Sequence, residues 1–553
     1  MLPYVRQHGV IEGQTSHHAG KEPPPHPGGG TAVGDSPPGG AYGCAWCPAV
    51  MTGSLMESEG TEGVVFPLSA DGRRSTSALG RAVVADALRG VDPVGARGAE
   101  QETNWRSGYL IHFRRLVEAG LASKAAALSI ARDGVGSLHA RMRVRRPGGA
   151  ETGLDALLSA PARASFATLS VPGAGQRETE LSLPYHGERL RGDALARRLE
   201  TWVSGGIIEP SCAEAVREVA AHPEWLRLPG QTVVALGAGA EVGPLEALLR
   251  WGARVVGVDL PSPPVWERVL RMARRGAGTL LVPVTRGVPV PLHPDSGDEA
   301  IAQRAGLNLV REVPAAADWL ADLDGPLVLG NYVYADGAAN VAVCAAVDAL
   351  TVRLQAARGD MALAFLATPT DVFAVPADAV AHSVRAYAAR SRVAKLAGRP
   401  LRTLSGGRLL RRAYVPGADP GISDSLVSQQ GPNYALAKRL QRWRATVARE
   451  AGTTVSLNIA PPTRTRSVVK NRALAAAYAG AHRFGAEVFE PATTTVLMAA
   501  LLVHDLHTAG PAHAHPWQDE TDAAAHGGLW RIAYAPRSAL GLAALLGYGA
   551  ARP

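Results

Sequence analysis

The sequence predicts an α/β protein built on a doubly wound parallel sheet, with a mainly helical N-terminal domain and a disordered leader. Three observations carry that expectation. From Gln231 onward, apolar runs such as TVVALGAG, ARVVGVDL, GTLLVPV, GPLVLGNYV, MALAFLATP and TTVSLNIAPP alternate with Ala/Leu/Arg-rich helical stretches. Strands buried on both faces read as continuous apolar runs, so the pattern indicates a parallel sheet covered by helices. Second, VVALGAGAEVGPLEALLRWGARVVGVD follows a complete strand–glycine loop–helix–strand plan. Third, residues 1–55 are rich in Gly, Pro and His and hold too little apolar surface to offset their chain entropy.

The expected organisation is therefore a disordered leader at 1–55, a mainly helical domain at 56–228, a sheet domain at 229–510 and a helical extension at 511–553. In the second segment, SGYLIHFRRLVEAGLASKAAALSIARDG repeats apolar residues at helical spacing, while ASFATLSVP and RETELSLPY alternate as strands. The sheet domain carries an insertion over about 372–430, which includes the basic stretch RSRVAKLAGRPLRTLSGGRLLRR. It reads either as a lid over the edge of the sheet or as a solvated basic helix and loop.

Composition narrows the function. A chain of 553 residues with 46% hydrophobic content exceeds one ordinary core. The net charge of +8 is scattered and has no aromatic–basic interleaving, which argues against nucleic acid as a partner. Four cysteines do not make a disulfide framework. Cys212 and Cys344 read as buried hydrophobes, and the lone pair Cys44/Cys47 lacks the second pair that a zinc site needs. The clustered His504, His507, His513 and His515 show no ligand spacing, so no metal is expected. Apolar runs stay below the roughly 18 to 20 residues of a membrane span. The N-terminus lacks a secretory pattern. The expectation is a soluble, non-secreted protein of the cytoplasm or an organelle matrix, acting on a small molecule.

The glycine loop is the first candidate site. Gly237 ends a strand, Gly239 allows close backbone approach, and Gly243 opens a helix whose N-terminus can face a pyrophosphate. Asp259 ends the next strand about twenty residues on, where a carboxylate can accept ribose hydroxyls. Its charge would repel a 2′-phosphate, and Leu260 follows it with no compensating Arg, which favours NAD over NADP. Methyltransferases that use S-adenosylmethionine share this layout, but usually carry an acid before the loop, where this chain has Ala235 and Leu236. A nucleotide fold kept as a non-catalytic scaffold is the third reading.

The second candidate site is NYALAK, which sets Tyr434 and Lys438 one helical turn apart. Interconverting a carbonyl and an alcohol needs a group to give or take the hydroxyl proton. A phenol normally titrates near 10, and a nearby ammonium would lower that value. The helix leads into the strand TTVSLNIAPPTRTRSV, with Asn458, Pro461, Thr463 and Thr465.

In these two stretches, over about 230–500, the chain resembles the short-chain dehydrogenase/reductase superfamily, whose members have a Rossmann fold. The resemblance implies hydride transfer with NAD, Tyr434 as acid/base, and Lys438 tuning it and binding the nicotinamide ribose. It also implies cofactor contacts from Asn331, Pro461 and Thr463, a Ser that orients the substrate, and assembly into a homo-oligomer through late helices. Ser425, Ser428, Thr368 and Thr370 are candidates for the orienting hydroxyl, and Ser425 is selected. Glu241 stands where the family usually has Gly, and Pro462 replaces a Gly after Pro461.

Overall fold

The computed structural model describes residues 62–549 apart from 70, 287–292, 294, 295, 509, 511 and 512. The expected leader and the Cys44/Cys47 pair lie outside the described residues.

The apolar runs form a seven-stranded sheet. Its strands are β1 (Phe166–Pro172), β2 (Thr232–Leu236), β3 (Arg254–Val258), β4 (Thr279–Thr285), β5 (Leu327–Asn331), β6 (Met361–Ala367) and β7 (Val455–Ile459). They lie in the order β7-β6-β5-β2-β3-β4-β1. All neighbours are parallel except β1, which runs antiparallel to β4. The chain builds outward from β2 in one direction through β3 and β4, then returns to build from β2 in the other. The switch point lies between β2 and β5, where such sheets open a ligand crevice beyond their carboxyl ends.

Register sets the height of that crevice. Leu236 pairs with both Val258 and Asn331, and Asn331 with Phe365. Gly237, Asp259 and Tyr332 therefore leave the sheet at one level. Side chains alternate between two hydrophobic layers, as a pleated strand requires. Val234, Leu236, Val256 and Leu329 join one cluster, and Val233, Ala235, Val255 and Val328 join the other.

These layers correct the expected domain boundary at 228. Helices Thr76–Arg89, Trp105–Gly120 and Lys124–Arg141 pack into the first layer, and Gly192–Ser204 and Pro210–Ala221 into the second. Strand β1, from ASFATLSVP, closes one edge of the main sheet. From residue 62 on, the chain belongs to one compact unit. A sheet hydrophobic on both faces recruits cover from any part of the chain, and periodicity does not say which part supplies it. The second expected strand shrinks to Leu183–Tyr185, paired with Glu188–Leu190.

The insertion begins with the strand Val372–Val375, which pairs antiparallel with Gly421–Asp424 near its end. Helices Ala377–Ala388 and Arg392–Leu404 lie between them. One described helix, Ala338–Ala357, is long and apolar enough by composition to cross a membrane, but 67% of its most apolar window is buried. It serves as a core helix against the sheet.

Candidate functional site

Both halves of the expected site stand at the carboxyl edge of the sheet. In the first half the chain turns sharply after β2. Gly237 has φ +86°, and a Cβ there would meet the Tyr332 carbonyl oxygen at 2.9 Å. The N–H groups of Gly237 and Ala238 both donate to the Val258 oxygen, at 2.8 and 3.0 Å. A Cβ on Gly239 would meet Arg268 Nη2 at 2.7 Å and Val265 at 2.8 Å. These two glycines are required by the loop itself. Gly243 is not, because a Cβ there finds nothing nearer than 3.6 Å. The following helix begins at Leu245, behind Pro244, and is short, ending at Trp251.

Asp259 is tied into this loop. Its Oδ2 accepts from Gly239 N–H and its Oδ1 from Leu260 N–H, each at 2.8 Å. Burial holds its pKa above the usual carboxylate value, against those two hydrogen bonds and Arg268. Each oxygen keeps a lone pair free for a ribose hydroxyl. Arg268 corrects the sequence reading that no arginine attends this acid. It reaches in from the helix Pro263–Arg275 and donates to the Gly239 oxygen at 2.8 Å. Arginine at helical spacing carries no signal that it will fold back on a loop nearly thirty residues away.

Glu241 turns toward the segment after β7. Its Oε2 accepts from Arg466 N–H at 3.1 Å and from Arg466 Nε at 3.3 Å. This ion pair offsets the charge that Glu241 brings to the loop.

The second half is built on the helix Pro432–Glu450, which packs against β6 and β7. Tyr434 lies 6.2 Å from Tyr334, ring centre to ring centre, in an edge-on arrangement. Thr368, one residue past the end of β6, is close enough to lower the pKa of its phenol. Thr368 and Thr370 share a hydrogen bond of 2.8 Å, and Gln430 Nε2 donates to Thr370 Oγ1 at 2.7 Å. A hydrogen-bonded chain thus runs from Thr368 through Thr370 to Gln430. Ser425 is placed differently. Its N–H donates to the Asp371 oxygen at 3.2 Å, while its buried hydroxyl has no hydrogen-bond partner. Ser428 turns to Gln429.

Lys438 shares the helix face but not the expected target. Its Nζ donates to the Leu366 oxygen at 3.1 Å and to Gln441 Oε1 at 3.0 Å. Gln441 Nε2 in turn donates to Asn331 Oδ1 at 3.2 Å. Asn331 and Lys438, far apart in sequence, are joined through one glutamine. Gln441 sits three residues after Lys438 and seven after Tyr434, so helical periodicity does place it on this face.

The electrostatics differ from the sequence expectation. Burial raises the Tyr434 pKa, with Thr368 opposing and Asp371 adding to the rise. Burial also lowers the Lys438 pKa. The ammonium is turned to the sheet and away from the phenol, so the phenol stays protonated at neutral pH. Burial raises the Tyr478 pKa, partial burial and the Asp336 carboxylate raise that of the half-exposed Tyr334, and Tyr434 adds to both. The site is a cluster of protonated phenols rather than a phenolate.

The remaining expected residues are occupied within the protein. Thr463 Oγ1 donates to the Pro461 oxygen and shares a contact with Thr494, each at 2.8 Å. Asn458 Nδ2 donates to Ser456 and Asp505, each at 2.9 Å. Of the four clustered histidines, His504 lies 3.2 Å from Glu218, His507 2.8 Å from the Val503 oxygen, and His515 3.2 Å from the Gly120 oxygen. His513 approaches Asp522 at 3.7 Å. No group of metal-ligating side chains occurs among the described residues.

The sequence matches no protein-family model and no curated protein.

Proposed function

We propose that this protein is an NAD(H)-dependent oxidoreductase of the short-chain dehydrogenase/reductase type that reduces a carbonyl to an alcohol. The observation that carries the reading is the shared position of two sequence-distant halves. The glycine loop and Asp259 stand at the switch point of the sheet, and Asn331, Thr368, Tyr434 and Lys438 stand beside it at the same edge.

Gly237, Gly239 and Asp259 would hold the adenosine half of the dinucleotide, and Asn331 and Lys438 its nicotinamide half. When bound, the reduced dinucleotide would supply the hydride that the carbonyl carbon accepts. Tyr434, kept protonated by burial, gives its proton to the carbonyl oxygen as negative charge develops there. Thr368 orients that oxygen and is itself held through Thr370 and Gln430. Tyr334 and Tyr478 form aromatic walls. This assignment moves the orienting role from Ser425 to Thr368. Arg268 beside Asp259 offers a cation to a 2′-phosphate, so NADPH belongs in every test beside NADH.

The test is a screen of aldehydes and ketones with NADH and NADPH, following loss of the reduced nicotinamide absorbance. Wild type should turn over at least one class of carbonyl, and Tyr434→Phe should be slower by roughly hundredfold or more. A variant as fast as wild type would remove Tyr434 from the chemistry.

A further inference from the structure

We infer that the helix Arg392–Leu404, together with the end of the helix Pro536–Gly547, docks the protein on an anionic lipid bilayer. Between Asp378 and Asp419 the chain holds nine Lys or Arg residues and no Asp or Glu. Among the described residues, none of these nine forms an ion pair with a carboxylate, although arginines elsewhere are widely paired. Arg392, Lys395, Arg399 and Arg402 lie on the helix itself and are exposed.

The same helix exposes large apolar side chains. Leu404 is 87% exposed, Val393 75% and Leu396 70%. Among its described residues only Gly398 is buried, facing Leu410. Leu545 and Leu546, at the end of the C-terminal helix, are exposed too, as is Tyr548 just beyond it. The two helices form one surface, because Ala394 and Leu401 line a cleft of about 570 Å³ together with Leu542, Leu545 and Leu546.

Charge and apolarity together select the partner. A short amphipathic helix with basic and aliphatic side chains both in water matches the lipid interface, where the aliphatic groups enter and the cations meet headgroups. A nucleic acid would use the cations but not Val393, Leu396, Leu404 and Leu545. A second copy would bring the same unpaired cations against these.

The experiment is flotation of the full chain with phosphatidylcholine vesicles, with and without phosphatidylglycerol, at low and high salt. Two variants are run beside wild type: Leu396→Asp with Leu404→Asp, and Arg399→Gln with Arg402→Gln and Arg408→Gln. These positions are exposed, and thermal melts check that the fold is kept. The expected result is flotation with the anionic vesicles alone, released by salt, and at least tenfold weaker for either variant. A wild type that stays at the bottom with anionic vesicles at low salt overturns the inference. So does binding that the leucine variant leaves unchanged, or that a DNA duplex of equal phosphate content abolishes. Self-association through this surface without flotation would assign it to a second copy instead.

Discussion

The helix Pro432–Glu450 buries cations in two different ways. Arg439 and Arg442 share Asp371, each at 2.7 Å, and Arg442 also reaches Glu520 at 2.6 Å. Arg444 meets Asp348, which also meets His139. Lys438, one residue before Arg439, has no carboxylate among the described residues, only a carbonyl and an amide oxygen. Every arginine of this network meets a carboxylate, although the buried Arg439 Nε finds no hydrogen-bond partner. The lysine side keeps an amine with no carboxylate partner, held only by the neutral oxygens of Leu366 and Gln441. Under the proposed function, that charge is arranged for a ligand rather than for the fold.

The largest effect should come from breaking the arginine side. Asp371→Ala strands the buried Arg439 guanidinium, leaves Arg442 with Glu520 alone, and should cost about 3–5 kcal/mol in urea denaturation. A loss below about 1 kcal/mol would mean that this network is dispensable, and the contrast would fail. Lys438→Met should behave oppositely. Its stability should stay within about 1 kcal/mol of wild type, while carbonyl reduction drops by roughly hundredfold.

The pH dependence sharpens the same contrast. Burial depresses the Lys438 pKa below its ordinary value of 10.5. The unfolded chain therefore binds more protons in the window between the depressed value and 10.5, and stability gains from this group as pH rises through it. Wild type should show that slope in denaturation curves across the alkaline range, and Lys438→Met should lack it. Equal slopes would mean that the amine is not desolvated.

Smaller effects separate the hydroxyls. Thr368→Val should slow turnover by about tenfold with little loss of stability, because it removes the hydroxyl assigned to orient the carbonyl oxygen. Ser425→Ala removes a buried hydroxyl that has no partner and should leave stability unchanged or raise it by up to about 1 kcal/mol. If Ser425→Ala alone impaired turnover, the orienting role would return to Ser425.

Much of the sheet was legible in the sequence, since continuous apolar runs mark strands buried on both faces. The edge strand Phe166–Pro172 was visible as a strand, but its partner was not, because alternation says nothing about which edge a strand will join. The glycine loop was legible in its turn. Gly237 and Gly239 are needed for a positive φ and a close approach, whereas Gly243 has room for a side chain. The Tyr434–Lys438 spacing correctly gave a shared helix face, yet not where the amine points. That direction is set by the Leu366 carbonyl and by Gln441, and backbone acceptors leave no mark in sequence. Arg268 and Arg466 were missed for a related reason. Long arginine side chains reach partners across the fold, and only the folded chain selects which.

The most direct measurement is a fluorescence titration with NADH, run beside NADPH and S-adenosylmethionine, on wild type and Asp259→Ala. The account predicts saturable binding of a reduced dinucleotide by wild type, at least tenfold weaker in the variant, and no response to S-adenosylmethionine. Binding of S-adenosylmethionine instead, or no binding of either dinucleotide, would contradict it.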